Sequence, residues 1–464
     1  MFNAKKIAAT VAIFGAGLAA FSTSSVVQAE PVSNSYTIVG SDTLEDVVNA
    51  IVNGTAITGA TVRVTINGAT LGSFDATGTP YIITKPGGTR FSRPNGSGEG
   101  FQALSAALQQ CSTDGNAVAS DNSNRNANSL FTSGTYQNKG EASVSGSGGS
   151  SMPASLKNVC VSGQVDISRS SSSDPKTTKL TAADATATIE RVPFGRDAIA
   201  IVMAPALANA VCAAEGQGTV AAGTCVPYLT AAQLGSLYET ASANPSLTIN
   251  GTSITFAPVI PQAGSGTRKD FLGKVVTGTK DSNNQTTAFL AAETAGYVRT
   301  GQEHDATSAA WIAAGDAAIE PMSASRWIAM KNGASYDKSG SAVLGAVSTS
   351  TTLVNSVIAA PVTVTSGVYA PNATYYADST WGRDVFLFVE RARIDSAFTA
   401  GGTITAGSKF DANLAALLDP TLNNLANAQT TGASKVGKVK LAYGFLAPSS
   451  TDLAYFAPSY AGVK

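Results

Sequence analysis

Residues 263–271 read AGSGTRKDF, directly after the apolar run ITFAPVIP. Gly264-Ser265-Gly266-Thr267-Arg268-Lys269 thus sets two glycines, two hydroxyls and an arginine where a strand would pass into a helix. The chemistry this could do is anion binding. The first N–H groups of a helix lack intrahelical partners, and the helix dipole leaves partial positive charge beside them. A glycine-rich approach exposes those donors to an oxyanion. Ser265 and Thr267 add neutral donors, and Arg268 adds a planar fork that stays charged. Taken alone, the same residues describe an ordinary strand-to-helix turn with a serine cap.

Three other stretches repeat the pattern: SYTIV followed by GSDTLEDVVNAIV, RPNGSGEGFQALSAALQQ, and QVDISRSSSSD. The alternation of strand-like and amphipathic helical runs predicts α/β layers around a mostly parallel sheet. In such a sheet all four junctions lie at the carboxyl edge, where open α/β folds bind ligands. The periodicity places Leu44, Val47, Val48 and Ile51 on one helical face, with Asp42 and Glu45 spaced as a capping box. Phe101, Leu104 and Leu108 face inward on the second helix, and Phe271, Leu272, Val275 and Val276 on the fourth. Residues 53–84 read as inserted strands with a hairpin turn at Asn67-Gly68. The stretch 112–155 has almost no apolar residues and reads as a mobile surface loop.

Composition bounds the setting. The chain has 464 residues, 44% apolar and 13% charged, with a net charge of −1, which favours substantial cores in two lobes and gives no footprint for nucleic acid. Lys5 and Lys6, an apolar run from Ile7 to Phe21, and small residues ending at Ala29 have the order of a cleavable signal peptide. The expected locale is periplasmic or secreted. No later stretch reads as a membrane span, and no cysteine follows Ala29 to carry a lipid. The four cysteines, Cys111, Cys160, Cys212 and Cys225, allow three pairings; in an oxidising compartment Cys212–Cys225 and Cys111–Cys160 are favoured over metal ligation. No metal or cofactor is expected.

The order of these motifs resembles the type II periplasmic solute-binding proteins, in particular the phosphate-binding proteins of ABC importers, and within them a divergent secreted branch. TIVGSDTLEDVV, NGSGEGFQAL, VDISRSS, LTAAQLGSLYE and GSGTRKDF carry the resemblance, over most of residues 35–330. It implies a two-lobed α/β fold with mixed, mostly parallel sheets and a hinge. Residues 30–195 would form lobe 1, 196–325 lobe 2, and 326–464 a return to lobe 1 with a C-terminal extension. It also implies a small oxyanion, phosphate first, in an inter-lobe cleft, a monomer, and an ABC permease as partner. Carried over by position, Thr43 and Leu44 are first-loop ligands, Ser97 the second, Ser170 the third, and Ser265, Gly266 and Thr267 the fourth. Two positions depart from the family: Ser171 stands where an aspartate accepts the ligand's proton, and Pro261 where an arginine stands. Arg268 or Arg169 would then supply the charge, and Asp42 the acceptor.

Plainer readings stand beside these. Asp42 is also a helix cap, and Arg169 a salt-bridge partner. Arg196 and Asp197 in FGRDAIAIV read as a structural ion pair where the chain enters the hinge, and His304 in GQEHDAT as a polar loop residue. A secreted phosphatase or esterase would need motifs the sequence lacks, having neither G-x-S-x-G nor H-E-x-x-H and a single histidine. A surface, matrix or adhesion protein on the same fold is the other alternative.

Overall fold

The structure is a computed structural model that describes residues 35–79, 81–108, 135–137, 158–172, 189–221, 225–348, 359–399, 406–407, 409–428 and 434–449. The signal-peptide stretch, the Cys111–Cys160 bridge and, apart from the short strand Thr135–Gln137, the polar loop 112–155 lie outside the described residues. Cys212 and Cys225 are joined, with their Cα atoms 6.1 Å apart. Among the described residues, no helix is long and apolar enough to cross a membrane.

Ten strands form one mixed sheet: β1 (Tyr36–Gly40), β2 (Leu71–Ser73), β3 (Ile167–Ser170), β4 (Ile189–Met203), β5 (Tyr228–Thr230), β6 (Ala257–Pro261), β7 (Arg299–Gly301), β8 (Ala318–Ser323), β9 (Val343–Ser348) and β10 (Gly382–Glu390). Its main order is β7-β6-β8-β4-β10-β3-β1-β2, with β9 and β5 branching from β4. β1 pairs in parallel with β2 and β3, and β6 with β7 and β8, so each group of parallel strands ends on one edge. The antiparallel pairs all involve β4 or β10.

β4 is 15 residues long and runs through both lobes. Its first half pairs with β10, while its second half, Ile199–Met203, pairs with β8 and β9. The packing follows that division. Ala198–Met203 belong to one core, which Phe271, Leu272, Trp327 and Tyr376 help fill. Val192 and Phe194 belong to another, with Ile38, Leu44, Val47 and Leu414. On β10 the two-residue period is explicit: Val385, Leu387 and Val389 enter the second core, while Phe386 and Phe388 enter a third, against Phe101 and Leu104. The fold is thus a two-lobed α/β arrangement on a mixed sheet. Val343–Ser348, Tyr375, Tyr376 and Trp381 also pack with the core of β6 and β8, so that core draws on chain well past residue 325.

Helix α1 (Glu45–Asn53) follows β1, with Val47, Val48 and Ile51 buried as the periodicity requires. The capping box does not form: Asp42–Leu44 make a short 3₁₀ turn, Ser41 makes no side-chain cap, and Glu45 accepts the Ala76 N–H at 2.9 Å. Asp42 is drawn away by partners in the other lobe, described below. Helix α2 (Ser97–Ala107) packs so closely on β1 that a Cβ on Gly100 would meet the Gly40 Cα at 2.6 Å. Helix α3 (Gly266–Val275) buries Phe271, Leu272 and Val275. Asn67 and Gly68 do turn in the left-handed region, but only a single bridge, Ile66–Ala69, closes that turn. The chain beyond it leaves to pair with β1 instead of building a long hairpin.

Where β4 crosses between lobes, Arg196 and Asp197 point to opposite faces and pair with the residues facing them on β10 rather than with each other. Arg196 meets Asp384 at 3.2 Å, and Asp197 accepts from Arg383 Nη2 at 2.9 Å. Asp197 is fully buried and also accepts from Ser323 Oγ, Ser325 N and Ser325 Oγ at 2.7–3.0 Å.

Removing one partner of a buried, hydrogen-bonded ion pair costs on the order of 3–5 kcal/mol. Asp197→Ala should therefore lower the urea midpoint far more than Arg196→Ala, whose guanidinium keeps some solvent access. A second prediction concerns Glu320 on β8, buried with neither carboxyl oxygen hydrogen-bonded. Burial, followed by the charges of Asp305 and Glu303, pushes its pKa well above the carboxylate range. A raised folded-state value means stability is intact below the unfolded pKa and is lost as pH rises toward the folded one, at about 1.4 kcal/mol per pH unit. Glu320→Met should match wild type in melting temperature near pH 4 and exceed it increasingly toward pH 8.

Candidate functional site

The four glycine- and serine-rich junctions meet between the lobes. Ser97, the first residue of α2, accepts the Ser171 N–H at 2.9 Å, and the two hydroxyl oxygens lie 3.2 Å apart. Both touch the start of α3: a Cβ on Gly266 would meet each of those oxygens at 2.4 Å. Only glycine lets the α3 terminus come this near. The loops also join through the backbone, with Gly98 N donating to Gly264 O at 2.9 Å. Beside this junction opens a cavity of about 120 Å³, bordered by Ser97, Ser170, Ser265, Gly266 and Lys269, with Phe101 and Phe388 on its apolar side.

Deeper in, Thr43 Oγ1 lies 3.1 Å from His304 Nε2 and 3.5 Å from Thr267 Oγ1, and donates to Glu303 Oε1 at 3.2 Å. Thr267 Oγ1 accepts from Arg383 Nη2 at 2.7 Å, which ties this cluster to Asp197. The single histidine is therefore central, not a loop residue at the surface. It is buried, and its backbone adopts a left-handed φ of 61°. Its Nδ1 accepts the Ser323 N–H at 3.3 Å, which leaves the proton on Nε2, 3.1 Å from Glu303 Oε1. Burial, outweighing the pull of Glu303, lowers the pKa of the ring and keeps it neutral. In that tautomer Nε2 has no lone pair to offer, so the ring cannot act as base to the Thr43 hydroxyl.

Asp42 is not a cap. Its Oδ1 accepts from Gln302 Nε2 at 3.0 Å and its Oδ2 from Gln262 Nε2 at 3.4 Å. Gln262 also donates to Asn95 at 2.7 Å and accepts the Glu303 N–H at 2.7 Å. Burial raises the Asp42 pKa well above the usual range, reinforced by Glu303 and Glu45 and opposed by Arg326. Arg326 itself is held by Asp46. Glu303 moves the other way: burial raises it, but His304 and the hydroxyls of Thr267 and Ser265 outweigh burial and hold it below the carboxylate range.

Of the two arginines expected at the anion, Arg169 turns away from the cavity, while Arg268 borders it but is committed to another partner. Arg169 sits on β3, and because successive strand side chains point to opposite faces, it turns inward while Ser170 borders the cavity. It is fully buried and donates to Ser73 Oγ at 2.7 Å, Phe74 O at 2.7 Å and Gly40 O at 3.0 Å. Arg268 makes a bidentate pair with Glu293, both bonds 2.7 Å, and lies over the Phe289 ring. Leu44 places its side chain in the core. Ser170 is closed on its own loop, donating to Ser172 O at 2.6 Å. Ser265 caps α3 by accepting the Arg268 N–H at 3.0 Å. Thr43, Ser97, Ser171, Ser265, Gly266 and Thr267 are the expected residues that the fold brings together.

Glu303, His304, Gln262, Gln302, Asn95 and Arg383 complete the cluster without having been singled out for it. The available signal was the Glu-His pair right after the three-residue strand β7, too short and polar to read as a fifth junction. Among the described residues, no group of three or more His, Cys, Asp or Glu side chains could hold a metal ion.

No family model and no curated protein matches the chain. Among solved structures, it is similar to a candidate phosphate ABC transporter substrate-binding protein of Clostridium perfringens with bound phosphate: TM-score 0.35, 12% identity, 84% of this chain and 97% of that one covered. A candidate phosphate-binding protein of Planctomyces limnophilus gives a TM-score of 0.37 at 9% identity, over 93% and 99% of the two chains. PstS of Borrelia burgdorferi gives 0.33 at 10% identity, over 90% and 100%. These overlaps, all below a TM-score of 0.5, carry neither ligand nor residue roles across.

Proposed function

We propose that this chain is an extracytoplasmic solute-binding protein that takes a small oxyanion, phosphate first, between its lobes. The observation that carries this reading is the meeting of Ser97, Ser171 and Gly266. Two hydroxyls from one lobe converge on the first residue of a ten-residue helix belonging to the other. Helix-start N–H groups with hydroxyl donors bind an anion without needing a full counter-charge. That fits the engagement of Arg169 and Arg268 elsewhere. Closure would come from bending where β4 crosses, and an ABC permease would receive the ligand. The His304 tautomer supports binding over hydrolysis, since the ring cannot serve Thr43 as a base.

Calorimetric titration of refolded, ligand-stripped protein with phosphate and sulfate tests the reading, and no heat from either anion at millimolar concentration would overturn it. A hydrogen bond to a charged group contributes about 1.5–3 kcal/mol, so Ser97→Ala should weaken binding on the order of ten-fold or more, with a modest fall in melting temperature from the Ser171 N–H left unpaired. Gly266→Ala should abolish binding. Burial raises Asp42 well above the usual carboxylate range, which disfavours the charge that would repel sulfate. Phosphate and sulfate should therefore compete with similar affinity near neutral pH, and Asp42→Asn should leave their ratio within about three-fold, read by competition titration.

A further inference from the structure

The position an oxyanion would take among Thr43, Ser265, Thr267 and His304 already holds a carboxylate. Thr43 Oγ1 donates to Glu303 Oε1 at 3.2 Å, and His304 Nε2 lies 3.1 Å from the same oxygen. Its other oxygen, Oε2, is buried with no hydrogen-bond partner. A buried charged oxygen is costly without partners, so the pocket does not satisfy this carboxylate fully, although it is placed as a ligand would be.

The backbone supports the same assignment independently. Glu303 and His304 sit at the centre of a tight turn, closed by Asp305 N to Gln302 O at 3.2 Å, and His304 takes the left-handed φ of 61° that favours glycine. A non-glycine residue held in that region is strained and persists only where its surroundings fix it. Here that strain directs both side chains of the pair into the cleft. The Gln262 side chain fixes the turn from below by accepting the Glu303 N–H at 2.7 Å.

We infer that Glu303 is a tethered ligand: its carboxylate occupies the oxyanion position, fastens the lobes through Thr43, and must swing out before an external anion can enter. The inference rests on the oxyanion reading of this cleft. Glu303 then sets both affinity and selectivity, because a dianion entering beside an ionised carboxylate meets like-charge repulsion in a site shielded from water. It also reverses the usual order of events. The free protein is the fastened form, and anion binding begins by releasing a bond between lobes.

The test compares wild type, Glu303→Gln and Glu303→Ala by calorimetric titration with sulfate, whose charge does not change near neutral pH, and with phosphate. Glu303→Gln keeps shape and removes charge; Glu303→Ala also empties the position, and a melting curve of each variant confirms folding. The expected result is at least ten-fold tighter binding of both anions by at least one folded variant. Anion binding by wild type with no gain in either folded variant overturns the tethered ligand while leaving the oxyanion reading standing. No binding by wild type at millimolar concentration overturns the oxyanion reading and the tethered ligand with it.

Discussion

The Asp197–Arg383 pair is the constraint on which the remaining architecture turns. One buried carboxylate holds the midpoint of β4, the start of β10 and the end of β8 together, and its guanidinium partner reaches on to Thr267 at the start of α3. A charged pair can persist in such an interior only when its hydrogen-bonding capacity is nearly filled. The five bonds accepted by Asp197 meet that condition. They also place the chemistry: Thr267 lies within reach of Thr43 because β10 is in register with β4 at this crossing.

Around that node the cleft relies on neutral donors and internal acids instead of free cations. Its arginines are matched to partners of their own: Arg169 to backbone carbonyls, Arg268 to Glu293, Arg326 to Asp46. Asp42 and Glu303 lie close enough to influence each other and are driven apart in acidity, the first upward and the second downward. Two acids in one pocket divide in this way when only one has donors able to stabilise its charge. Glu303 has Thr43 and the histidine ring, whereas Asp42, buried behind two glutamine amides, also meets the charges of Glu303 and Glu45.

Much of this was legible in the sequence, and the failures have identifiable causes. The strand-to-helix junctions announce themselves through glycine and serine, because those residues act within their own loop and leave a local mark. Ser97, Gly266 and Thr267 were readable for that reason. Residues that act through distant partners leave none. Nothing near Arg169 says that Ser73 and Phe74 lie behind it, and nothing near Arg268 points to Glu293. Asp42 is spaced as a cap to Glu45, but the stronger bid comes from Gln262 and Gln302 across the cleft. The Cys212–Cys225 pairing was recoverable from a short separation of 13 residues, a local constraint again.

The two-strand crossing has a mechanical consequence. β4 and β10 are hydrogen-bonded to each other continuously from Gly382–Ala198 to Glu390–Ile189, with one irregularity between Val385 and Phe386. A joint of that kind has no free pivot. Any displacement of one lobe against the other would have to twist this paired ribbon, whose one break in register lies at Val385, two residues along β10 from the arginine that faces the buried carboxylate.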